Sequence, residues 1–127
     1  MTTSLPQKGD APVPDRRRFP RLICSASIQF RSVLKPQDPF VGSLSKDLSA
    51  SGIRVTLAES LPVESRLVLL LSLPHLLKPM RTIARVVWTQ EQHFTEAYDC
   101  GLQFLEITPE DREAIAGYVQ EGISSPR

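Results

Sequence analysis

From Leu22 to Leu105 the chain repeats one pattern: short segments in which apolar and polar residues alternate, cut at intervals by Pro, Gly, Ser or Asp. A period of two puts successive side chains on opposite faces, which suits a half-buried strand and not a helix. In the first segment Cys24, Ala26, Ile28 and Phe30 share one face, and Ser25, Ser27, Gln29 and Arg31 the other. A Pro-containing loop over 35–40 leads to a second strand near Val41 to Leu48. The polar turn Asp47-Leu-Ser-Ala-Ser-Gly52 separates it from a third, Ile53 to Leu57. Leu61-Pro62 opens a loop before the apolar run Leu67 to Leu73, and Pro74 and Pro79 bracket another. Met80 to Thr89 reads as the fifth strand, with Ile83 and Arg85 opposed to Ala84 and Val86. The polar stretch Gln90 to Glu96 connects it to the last, Tyr98 to Leu105. Six short strands with turn signals between them predict a mainly β fold, a small antiparallel barrel or sandwich.

The pattern then changes period. Thr108 followed by Pro109, Glu110 and Asp111 is a helix start: a hydroxyl cap, Pro at the first helical position, and acids at the positive end of the dipole. Ala114, Ile115, Tyr118 and Val119 form a stripe that packs on the strands, and Gly122 is placed to end the helix. Residues 1–14, with three prolines and no periodicity, read as a flexible N-terminal tail, and 122–127 as a short C-terminal tail. The length of 127 residues suits one domain, over 15–121 between these tails.

No segment approaches the roughly 20 apolar residues of a membrane-spanning helix, and residues 1–14 lack the pattern of a signal peptide, so a cytoplasmic location is expected. Cys24 and Cys100 stand far apart and, with only His75 and His93, offer no metal-ligand spacing. They read as reduced, partly buried thiols. No nucleophile elbow, P-loop or dinucleotide fingerprint occurs. The chain reads as a binding protein without catalysis, cofactor or metal.

What it binds is suggested by charge. Residues 1–90 carry thirteen Lys/Arg against six Asp/Glu, and residues 91–127 two against eight, so the net +1 hides a basic body and an acidic C-terminal part. Four of the eleven arginines, Arg16, Arg17, Arg18 and Arg21, fall within six residues, and Pro20 keeps that run out of a helix. Such a cluster suits nucleic acid, a membrane surface or an acidic partner, or is a solvated boundary. A guanidinium forks onto phosphate, stacks on aromatic rings and donates to the O6/N7 edge of guanine. In the turn after the second strand, Asp47 can accept from guanine N1 and N2, Ser49 can bond a base edge or phosphate, and Gly52 supplies positive φ or close backbone approach. An ordinary Ser-rich turn is the plainer reading of that hexapeptide alone.

Taken together, Arg17-x-x-x-Arg21 before the first strand and Asp47-x-Ser49-x-x-Gly52 after the second resemble the PilZ domain family, as does the closing segment Gly101 to Asp111. The resemblance covers roughly residues 15–121. It implies a six-stranded antiparallel β-barrel with a C-terminal α-helix that binds bacterial cyclic di-GMP. By resemblance, Arg17 and Arg21 grip a guanine and the phosphates, and Asp47 and Ser49 meet the ligand on the barrel surface. An Arg before the first motif, here Arg16, goes with an intercalated dimer of the dinucleotide. Arg18 either adds cationic compensation or faces solvent, and Trp88 either stacks on a guanine or packs into the core. Arg54 and Arg85 add to the positive field without an assigned contact. A domain of this kind signals in trans to a downstream protein. The alternatives are a PilZ-like interaction module unresponsive to the ligand, and a single-strand nucleic-acid-binding barrel.

Overall fold

The structure, a computed structural model, describes residues 19–124. In chain order these form β1 (Leu22–Ile23), β2 (Ser27–Ser32), β3 (Val41–Leu48), β4 (Gly52–Leu57), β5 (Arg66–Ser72), β6 (Met80–Glu91), β7 (Tyr98–Glu106) and α1 (Pro109–Ser124). All pairings are antiparallel, in the order β2-β5-β6-β7-β4-β3, and β3 pairs back onto β2 to close a six-stranded barrel. β1 is a short additional strand on the C-terminal end of β3, pairing Leu22 with Leu48 and Ile23 with Asp47.

The expected first strand is therefore divided, and the reason lies in one hydroxyl. Ser45 Oγ accepts from Ala26 N at 2.8 Å and donates to Cys24 O at 2.5 Å. It takes over backbone groups that a continuous ladder would have paired, and such groups must be satisfied when buried. The alternation survives the break: Ala26 and Ile28 are buried while Ser25, Ser27 and Gln29 are exposed.

Inside the barrel, Ile28, Leu48, Ile53, Val55, Leu69, Leu71, Val86 and Cys100 are fully buried, and Ile115 and Val119 of α1 join the same cluster. Burying side chains of this size contributes roughly 1.5–3 kcal/mol each, which fixes the helix on the barrel. The helix starts as its sequence requires, with Asp111 N donating to Thr108 Oγ1 at 3.1 Å and Arg112 N to Thr108 O at 2.9 Å. It does not stop at Gly122 but runs on to Ser124, into the segment expected as a C-terminal tail. Gly122 meets a packing need instead. A Cβ there would lie 2.4 Å from Leu22 Cδ2, so the glycine lets α1 approach β1 closely.

Outside the barrel, Asp99 on β7 gathers three elements. It accepts from Gln92 Nε2 at 2.8 Å, Thr56 Oγ1 at 3.1 Å and Lys46 Nζ at 3.3 Å. Burial pushes its carboxyl up, but the hydrogen bonds from Gln92, Thr56 and Lys46, with the Lys46 charge, hold it net below its ordinary value of 3.8. A carboxyl depressed in the folded state stabilises the fold above its unfolded value and loses that contribution as pH falls towards the folded one. Asp99→Asn should therefore cost about 1 kcal/mol at neutral pH and flatten the decline in stability below about pH 4. Urea midpoints measured from pH 7 down to pH 2 test this, and parallel curves for the two proteins would refute it.

Candidate functional site

The turn between β3 and β4 is held by Ser49. Its side chain is fully buried, and its hydroxyl accepts from Ser51 N and Gly52 N, both at 3.2 Å, while Ser49 N donates to Gly52 O at 2.9 Å. Arg21 enters this turn from the segment before β1. Its Nη1 donates to Ser49 Oγ at 3.2 Å, and its Nε and Nη2 donate to Asp47 Oδ1 at 2.9 and 2.7 Å. The other carboxylate oxygen of Asp47, Oδ2, lies 2.9 Å from Arg54 Nε. Asp47 is thus a buried acid between two guanidiniums, and its immediate role is to hold both in place.

Gly52 has no positive φ. A Cβ there would stand 2.2 Å from the backbone oxygen of Leu102, so the glycine is required by the contact of β4 with β7. Of the two reasons the sequence allowed for Gly52, close approach is the one found, and the approaching backbone belongs to the protein itself.

Register carries the site across the barrel wall. Asp47 pairs with Arg54, Arg54 with Gly101, and Gly101 with Trp88, which sets one outward row across β3, β4, β7 and β6. Beside it runs a second row, Gly52 to Gln103 to Arg85. Strands lie about 4.8 Å apart, so the first row spans roughly 14 Å. The register shift between Val86 and Trp88 explains why the indole is on this surface. Strict alternation from buried Val86 would turn residue 88 inward, whereas the extra residue re-aims it outward. Trp88 lies on Gly101, where a Cβ would fall 2.1 Å from its Nε1.

These rows floor an open groove of about 740 Å³, lined among others by Phe19, Arg21, Asp47, Arg54, Arg85 and Trp88. Three arginines and one carboxylate line it, a local excess of positive charge. Arg85 Nη1 donates to Glu64 Oε1 at 3.1 Å and its Nη2 to Gln103 Oε1. Phe19 lines the groove on one side and a cleft of about 330 Å³ against α1 on the other, with the Arg112 guanidinium 5.9 Å from its ring centre.

Of the site residues expected from sequence, Arg21, Asp47, Gly52 and Trp88 line this groove, and Ser49 lies beneath it. Arg16, Arg17 and Arg18 lie outside the described residues, as do residues 1–14. Arg54, Arg85, Gln103 and Ser51 line the groove without having been assigned to it. Alternation alone turns Arg54 and Arg85 outward, but only the β4–β7–β6 pairing brings them to one place. Cys24 takes no part: burial, with the Asp47 charge, pushes its thiol above the ordinary 9.0 despite a hydrogen bond from Ser45, which keeps it protonated at neutral pH.

A family model described as PilZ domain matches residues 15–121. No curated protein matches significantly. Among solved structures, the Bacillus subtilis inhibitor of motility MotI/DgrA is 26% identical with a TM-score of 0.75, over 88% of this chain and 53% of that one. The PilZ domain of YcgR from Escherichia coli, solved with c-di-GMP, is 15% identical with a TM-score of 0.62, over 84% of this chain and 90% of that one. The K. pneumonia MrkH–c-di-GMP complex is 18% identical with a TM-score of 0.69, over 85% of this chain and 52% of that one. The chain thus spans about half the length of the MotI and MrkH chains. Among the described residues no helix is long and apolar enough to cross a membrane.

Proposed function

The chain belongs to the PilZ domain family, and from that membership together with the charge of the groove we propose that it is a receptor for cyclic di-GMP acting in trans on a protein partner. The observation that carries this reading is the convergence of Arg21, Arg54 and Arg85 on one groove, with Trp88 lying over Gly101 in its lining and Asp47 as the one acid lining it. A cyclic dinucleotide presents two phosphodiester charges and two flat guanines. The groove supplies guanidiniums for the charges and an indole face for a base.

Within this reading Asp47 and Ser49 act by orienting Arg21, through the contacts described above, and Arg17 joins Arg21 on the guanine and phosphates. Arg16 and Arg18 add the positive charge needed to pack a second dinucleotide against the first, as an intercalated dimer. In this reading the ligand is bound and not hydrolysed. The functional unit is the barrel and helix over 15–121, with residues 1–14 as a tail, and the proposed location is the cytoplasm. Binding of the arginine segment and the groove to one ligand would create the surface that the partner reads.

Calorimetric titration of the full chain with cyclic di-GMP tests the reading. We expect saturable binding at two dinucleotides per chain, quenching of the fluorescence of Trp88, the only tryptophan, and loss of both signals in Arg17→Ala. Absence of binding by the parent chain would overturn it. Binding of single-stranded oligonucleotides with a steep salt dependence and no preference for the dinucleotide would favour a nucleic-acid barrel instead.

A further inference from the structure

Arg85 belongs to neither sequence motif, yet the fold builds a wall around it. It stands on β6 in the row Gly52–Gln103–Arg85, two strand spacings or about 10 Å from the turn that Arg21 grips. Its neighbours Ala84 and Val86 turn into the core, whereas its own side chain lines the groove, so the core does not call for it. Gln103 and Glu64 hold its two terminal nitrogens, and its buried Nε has no hydrogen-bond partner.

Glu64 reaches it at a conformational cost. Its φ is 79°, in the left-handed region that non-glycine residues rarely adopt. That conformation is clamped by Glu64 N donating to Val86 O at 2.8 Å and Val86 N donating to Ser65 O at 2.9 Å. The clamp grips β6 at the bulge that turns Trp88 outward. One loop therefore holds both the far arginine and the strand backbone beside the bulge that carries the indole. Backbone strain of this kind persists where surrounding structure over-determines it, and often at binding sites.

We infer that Arg85 with Gln103 forms a second anion subsite, which takes a phosphodiester of a cyclic guanine dinucleotide that Arg21 does not reach. The inference rests on the receptor reading above and deepens it. Glu64 is the gate of this subsite: its carboxylate is 66% exposed, and an exposed ion pair is held only weakly. An arriving phosphate displaces it and inherits the oriented guanidinium.

The two partners of the ion pair then have opposite effects on binding. Relative to the parent chain, Arg85→Gln lowers cyclic di-GMP affinity about tenfold, the loss of one charge-assisted contact, and lowers the number of dinucleotides bound at saturation. Glu64→Gln raises affinity about two- to threefold by removing the competing carboxylate. Calorimetry on the three full-length proteins, with thermal melts to show that all are folded, decides the matter. If the parent binds and neither substitution moves the isotherm, or both weaken it equally, Arg85 and Glu64 are a structural ion pair and the subsite is refuted. If the parent takes up no cyclic di-GMP, the receptor reading fails first and the subsite falls with it.

Discussion

Arg21→Ala is expected to weaken cyclic di-GMP binding by about 100-fold or more while lowering stability by only about 1 kcal/mol. The two effects separate because the side chain has two faces. One is spent on Asp47 and Ser49 through three hydrogen bonds, and the other faces the groove. A charge-assisted hydrogen bond contributes about 1.5–3 kcal/mol, so losing a forked pair to a phosphate corresponds to two orders of magnitude or more in affinity. The folding cost is smaller because the Arg21 side chain is 37% exposed, and because Arg54 remains beside Asp47. Arg21→Lys separates geometry from charge. An ammonium restores the charge without the planar fork, so it should recover less than about tenfold of the lost affinity. Calorimetry gives the affinities and urea unfolding the stabilities. An Arg21→Ala protein of parental affinity would remove the turn from the binding site.

The second large effect concerns folding. Gly52→Ala is expected to destabilise the protein by about 3 kcal/mol, although it adds a single methyl group. That methyl would meet the Leu102 carbonyl oxygen, and Gln103 Cα stands 3.3 Å from it. Both are backbone atoms of the neighbouring strand and cannot rotate aside. β4 and β7 must separate, and that pairing is one of the six that close the barrel. Gly42→Ala is the matched control, since the nearest atom to its added Cβ is Ile28 O at 3.9 Å. It should shift stability by less than about 0.5 kcal/mol. Urea midpoints at constant slope distinguish the two, and equal midpoints would contradict the close approach.

Gly52 also marks where sequence reading reaches its limit. The position of the strands and the capped helix follow from local information: a period of two, turn residues between segments, and Thr108-Pro109 at the helix start. Strand β3 over Val41–Leu48 lies where alternation and the flanking turn put it. What local information lacks is the identity of each strand's neighbour. The demand for glycine at 52 comes from a strand some fifty positions away in the chain. Trp88 faces outward because of a bulge, and a bulge is the failure of the very alternation on which the reading depends. The division between β1 and β2 likewise depends on Ser45, a residue of another strand. Within the site, Arg21, Asp47 and Ser49 were legible because two short motifs carry them. Arg54 and Arg85 were legible only as positive charge without a contact and Gln103 not at all, since only non-local register sets them side by side.

Closure of the barrel constrains how any partner can recognise this domain. Each of its six strands has a neighbour on both sides, and β1, the only strand pairing on one side alone among the described residues, is two residues long. Among the described residues, unpaired strand backbone is confined to strand ends, such as β6 beyond Val86 on its β5 side, and no long strand is left open along its whole length for a peptide to extend the sheet. Closure therefore shifts recognition of the described barrel towards side chains on its outer wall and helix, which a ligand in the groove could rearrange without unfolding a pairing.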